Sequence, residues 1–163
     1  RISQIYEGTN GVQALDLVGR KMPAHLGRTL RPFFHEVSGY LADKQTDTRP
    51  EVKPFVQGLA KAFGRLQTVT GWLAEKGLSN PEEAGGAATD YLRLFALVTL
   101  GYLWLRAVDI ALEKRTGDEA LFYQGKLDTA RFYYGCLLPQ SGALMSIIMS
   151  GCGSMMSFNV EAF

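Results

Sequence analysis

Few residues in this chain stand in a pattern that could do chemistry, and most lie in the segment Ile2-Ser3-Gln4-Ile5-Tyr6-Glu7-Gly8-Thr9-Asn10-Gly11-Val12-Gln13. Glu7 is its single carboxylate. An aromatic ring precedes it and a Gly-Thr step follows, which suits a loop-to-helix junction where Gly8 admits close backbone approach to a ligand and Thr9 offers a hydroxyl. The apolar neighbours Ile5 and Tyr6 desolvate a carboxylate and raise its pKa, the property a general base for a weakly acidic carbon needs. A plainer alternative fits the same residues: Glu7 is an exposed loop residue, and Thr9 or Asn10 caps a helix carrying Leu15, Leu17 and Val18.

The rest of the sequence holds no comparable constellation. There is no Walker loop, GxGxxG, HExxH, GxSxG or Asp-rich metal loop. His25 and His35 stand ten residues apart on what spacing predicts to be one helix, nearly three turns and too far to share a metal, so no metal site is expected. The pairs Asp43-Lys44 and Glu113-Lys114-Arg115 read as solvated helix ends. Cys136 and Cys152 form neither a CxxC nor a disulfide framework, so reduced thiols and a cytoplasmic setting are expected. A formal net charge of +1 offers no basic surplus for nucleic acid. The most apolar stretch, Leu94 to Leu105, lies between Arg93 and Arg106 and is too short to cross a bilayer; no membrane is required.

The elements that must position Glu7 are helices. Apolar residues recur at steps of three and four from Leu26 to Leu41, until the stretch from Thr46 to Pro50 interrupts them. A second stripe runs from Val52 to Leu73, predicting a helix from about Val52 to Lys76 with Gly77 as its C-terminal cap. Asn80, Pro81 and Glu83 spell the next start: a cap, a first helical residue, and a capping-box carboxylate reaching back. That helix should reach Lys114, apolar on most faces between Leu92 and Leu112 as an innermost helix must be. Asp118 is expected to cap another helix running to Leu137, where Pro139 ends or kinks it. In a last helix Gly142, Ser146, Ser150 and Ser154 line one side, predicting close contact within the bundle or between subunits. The fold class is therefore all-α, an up-and-down bundle of about five to six helices.

The run from Gln4 to Gln13, continued by Ala14-Leu15-Asp16-Leu17-Val18-Gly19-Arg20-Lys21, closely resembles the active-site segment of acyl-CoA dehydrogenases. The remainder is similar, more loosely, to the helical domain that follows the catalytic core in a bacterial branch of that family, through Tyr91 to Phe95, Lys126 to Phe132 and Leu137 to Gln140. The resemblance implies that residues 1–22 end the catalytic helical domain, that 23–163 form the appended bundle, and that the chain is a C-terminal fragment of a longer enzyme. It implies Glu7 as the base that removes the proton α to an acyl-CoA thioester while the β-carbon passes hydride to FAD. Gly8 matches the position lying against the thioester, and Thr9 one that touches FAD. Asn10 and Gly11 occupy cofactor positions where other branches carry a Ser-Gln pair, a departure that bears on their contacts. An electron-transfer flavoprotein-like acceptor and a homo-oligomer are implied too. The fragment alone is expected to be inactive.

Overall fold

A computed structural model describes residues 2–5 and 9–162. Among them there is no strand, and the eight α-helices are α1 Ile2–Ile5, α2 Asn10–Asp16, α3 Arg31–Lys44, α4 Lys53–Ser79, α5 Pro81–Lys114, α6 Ala120–Phe132, α7 Ser141–Met149 and α8 Gly153–Met156. The four long runs give the bundle its form. Phe33, Glu36 and Tyr40 of α3 meet Phe95, Tyr102 and Asp109 of α5 in rising order, so these two helices run the same way. The helix between them, α4, runs against both: Phe63 packs edge-on to Phe34, and Thr70 bonds Tyr91 at 2.8 Å.

The descending fourth run is bent. Tyr133 donates to the Leu97 carbonyl and Tyr134 to that of Gly101, both at 2.8 Å, which lays α6 along the C-terminal half of α5. Pro139 lacks the N–H that regular helix needs, and the backbone widens to a π-turn over Tyr133–Leu137 and then tightens to a 3-10 turn over Leu138–Gln140. Beyond this kink α7 descends along the N-terminal half of α5, where Arg93 reaches Gln140 at 2.6 Å. The architecture is the all-α, up-and-down bundle that the periodicity predicts.

The core is built on α4 and α5. Leu59, Leu66 and Val69 of α4 and Tyr91, Leu94, Val98 and Leu105 of α5 are fully buried. Tyr134 wedges between these helices: its ring lies edge-on to Phe55, and a Cβ added at Gly58 would come within 2.8 Å of it. Glycine is needed at position 58 because a ring occupies the space of its side chain. The far side of α5, carrying Leu100, Leu103 and Ile110, stays half exposed, so this helix is not enclosed all round as expected. By length and composition α5 could cross a membrane, yet it is the bundle's central packing helix.

Four local expectations are corrected. The periodic stretch from Leu26 becomes regular helix only at Arg31, so His25, in the 3-10 turn Ala24–Gly27, shares no helix with His35. Gly77 does not end α4; it lies inside the helix, 3.3 Å from Ala84 once given a Cβ, and Asn80 breaks the chain at φ −143°. Asn80 does cap α5, accepting from the Glu82 N–H at 3.1 Å, but the Glu83 carboxylate turns outward to accept from the Cys152 N–H at 2.8 Å. The residue preceding α6 is Glu119 rather than Asp118.

Candidate functional site

Glu7 and Gly8, expected to be the base and a substrate contact, lie outside the described residues. The three residues expected to contact a cofactor lie together at the start of α2: Thr9 immediately precedes the helix, Asn10 opens it and Gly11 follows, all exposed. A Cβ added at Gly11 would meet no atom within 4 Å. These three residues thus lie exposed at one helix end, which can border a ligand but cannot enclose one.

What holds this helix end in place is its opposite face. Ala14 is fully buried, Val18 and Met22 nearly so, and all three belong to the core that α4 and α5 build. The boundary expected after residue 22 is therefore crossed by packing, because the segment before it inserts three apolar side chains into the bundle. The outward residues Ile5, Val12 and Leu15 are more than half exposed. Asp16 accepts from Arg20 at 2.9 Å and pairs with Lys21 at 3.2 Å. The hydrogen bond from Arg20 holds its carboxyl below the usual carboxylate range.

From α2 the chain passes through a π-turn, Leu17–Lys21, and the 3-10 turn Ala24–Gly27, where His25 takes φ +50° and Gly27 +74°. Thr29 ties this connection back by donating to the Lys21 carbonyl at 3.0 Å. Beneath it lies a cavity of about 440 Å³ reaching Phe95 of α5. The local sequence does not reveal this feature, because its floor is completed by Phe95, sixty-five positions beyond Leu30.

Elsewhere a charge network clamps the α3–α4 connection to α5. Asp109 accepts from the Tyr40 hydroxyl, from Lys44 at 2.8 Å and from Arg49 at 2.6 Å, while Arg49 also grips Asp47. Lys44 is thus a partly buried tether and not the solvated end that its neighbourhood suggested. Hydrogen bonds from Arg49 hold the Asp47 carboxyl far below its ordinary range. No group of three or more possible metal ligands occurs among the described residues. The thiols are unpaired, Cys136 exposed and Cys152 buried. Of the small-residue stripe only Gly142 is closely met, by the Arg65 guanidinium, while Ser146, Ser150 and Ser154 remain exposed.

Fold and site together define a helical bundle that anchors α2 and leaves the start of that helix facing outward. Residues 33–159 match the family described as acetyl-CoA dehydrogenase C-terminal like, and the chain belongs to that family. Among curated proteins it is similar to a butyryl-CoA dehydrogenase of Syntrophomonas wolfei, 29% identical over 145 residues, 85% of this chain and 23% of the relative. It is 25% identical over 173 residues to the broad-specificity linear acyl-CoA dehydrogenase FadE5 of Mycobacterium tuberculosis, covering 100% of this chain and 28% of the relative. A 3-methylmercaptopropionyl-CoA dehydrogenase of Ruegeria pomeroyi is 29% identical over 144 residues, 88% of this chain and 24% of that protein. The chain thus spans about a quarter of the length of the curated relatives it matches.

Proposed function

We propose that this chain is the C-terminal part of a flavin-dependent acyl-CoA dehydrogenase, contributing the catalytic base and an appended helix bundle. Residues 1–22 end the catalytic domain and 23–163 form the bundle. The observation that carries the reading is the coincidence of two features in one chain. The Gln4–Gln13 segment resembles a dehydrogenase active site, and it runs into a helix anchored by Ala14, Val18 and Met22 on a bundle of the matched family.

In this reading Glu7 removes the proton α to the thioester carbonyl, and Gly8 places backbone against the acyl group. The α-proton is acidified by hydrogen bonds to the thioester oxygen, so the base must sit within hydrogen-bond reach of that carbon and in an apolar surrounding that keeps its pKa raised. Thr9, Asn10 and Gly11 border the FAD, which when bound supplies the acceptor for the β-hydride and so yields a trans-2-enoyl-CoA. Asn10 contributes an amide where a hydroxyl is the alternative, and Gly11 contributes backbone alone. One helix end buries too little of a flavin to retain it, so the 163-residue chain by itself is inactive. The intact protein is a cytoplasmic homo-oligomer that passes its electrons to an electron-transfer flavoprotein-like acceptor.

A second reading concerns the bundle alone: a non-catalytic module for oligomerisation or interaction. The half-exposed Leu100, Leu103 and Ile110 on the far side of α5 favour it. Truncating the longer protein after Lys21 separates the two roles. If the bundle only assembles subunits, the truncated protein loses its oligomeric state and keeps acyl-CoA-dependent flavin bleaching; if the bundle lines the substrate tunnel, its preference among acyl chains changes. Absence of FAD and of bleaching from the longer protein, with every acyl-CoA tried, contradicts the dehydrogenase reading.

A further inference from the structure

The connection between α2 and α3 borders an open cavity that the proposed reaction leaves unused. Its volume, about 440 Å³, lies in the range of small-molecule sites. Met22, Leu30 and Phe95 give it apolar walls, while Arg20, Lys21 and His25 stand around it. Asp16 is not among the lining residues; it engages Nε and Nη2 of Arg20 and the Lys21 ammonium from the adjoining helical turn. Two cations therefore face one carboxylate, leaving a positive balance at the rim, and Asp16 engages only Nε and Nη2 of the Arg20 fork.

The backbone around the cavity is unusual as well. The wall begins with a π-turn, a form that interrupts regular helices and recurs at functional sites. It continues through His25, the one non-glycine residue at positive φ among the described residues. Such a conformation is strained and persists only where the surroundings impose it. Here it turns the chain back so that Thr29 can bond the Lys21 carbonyl, which holds the cationic rim over the apolar floor. An apolar floor alone would take any small hydrocarbon, and a cationic rim alone any anion. Their combination selects a molecule with both parts.

We propose that this cavity binds an organic anion: a carboxylate or phosphate-ester head on an apolar body of about ten carbon atoms, a size that such a volume encloses. The head pairs with Arg20 and Lys21 at the rim, with the guanidinium fork matching either acid. The body lies on Phe95 and Leu30. This assignment stands apart from the dehydrogenase reading, because every group it uses is in the 163-residue chain.

Four small probes test it by amide chemical shifts of that chain: 1-naphthoate, 1-naphthyl phosphate, the neutral 1-naphthylmethanol, and acetate. One or both aromatic anions should saturate the site, moving the amides of Gly27, Thr29 and Phe95, and should bind at least about tenfold more tightly than the alcohol or acetate, the gain expected of a charge-assisted pair. The tighter of the two anions identifies the head group. Arg20→Gln with Lys21→Gln should abolish that preference while changing the melting temperature only slightly, since both are exposed surface pairs with Asp16. Ala24→Trp should block all the probes by filling the cavity. Equal binding of alcohol and anion, shifts that do not saturate or that map elsewhere, or unchanged affinity in the double variant would each overturn the proposal.

Discussion

At the scale of single residues, two glycines show how the same substitution reads differently in different surroundings. At Gly58 a new methyl would stand 2.8 Å from the Tyr134 ring, so Gly58→Ala must push apart the wedge between α4 and α5 and should destabilise by about 1–3 kcal/mol. Gly11 sits in a helix with open space at its Cβ position, so Gly11→Ala should be neutral or stabilising by up to about 1 kcal/mol. Urea denaturation of the two variants beside the parent checks both signs. Neither difference is written in the sequence, where both positions are simply helical glycines. The candidate site is legible to a similar extent. Glu7 through Gly11 stand out by residue type and order, yet nothing local reveals that Ala14, Val18 and Met22 fasten their helix to the bundle core.

Among the elements, helices whose signals are local read correctly. The α4 stripe from Val52 to Leu73 and the Asn80 cap of α5 depend on neighbours three or four residues away, and both are present in the fold. Signals that compete with distant partners do not. Glu83 has the spacing of a capping-box residue but serves the Cys152 N–H, 69 residues on, and so ties the turn before α8 to the start of α5. Lys44 looks like a solvated terminus but bonds Asp109, an acid shared with Tyr40 and Arg49 and only 14% exposed in its side chain. Asp109→Ala should therefore cost about 1–3 kcal/mol, because the Tyr40 hydroxyl loses its acceptor while Lys44 and Arg49 lose one of their two carboxylates and keep only Asp47. Asp128→Ala breaks an exposed pair with Arg131 and should cost no more than about 0.5 kcal/mol. Equal effects of the two substitutions in denaturation experiments would mean that Asp109 does not clamp the α3–α4 connection.

For the whole molecule, buried phenols set the alkaline limit of stability. Burial pushes Tyr91 and Tyr133 up to about 12, whereas an unfolded tyrosine titrates near 10. The folded state thus holds those protons more tightly. Their contribution is intact below about pH 10 and is lost as pH rises from there through about 12. On the acid side the depressed Asp47 carboxyl has the opposite sign, contributing above its unfolded value near 4 and losing that contribution as pH falls. Melting temperature should accordingly decline at both extremes. Tyr91→Phe with Tyr133→Phe should flatten the alkaline decline, and an unchanged slope would place its cause elsewhere.

The bundle's family is established by residues 33–159, but the chemistry rests on the short segment before them. The most direct test of the proposed chemistry is an anaerobic titration of the longer protein with a panel of acyl-CoAs, following flavin absorbance in the parent and in Glu7→Gln. The account predicts that the parent bleaches with at least one acyl-CoA, while Glu7→Gln binds the same ligand and stays oxidised. Equal bleaching of both proteins would show that another group removes the α-proton and would contradict the role assigned to Glu7.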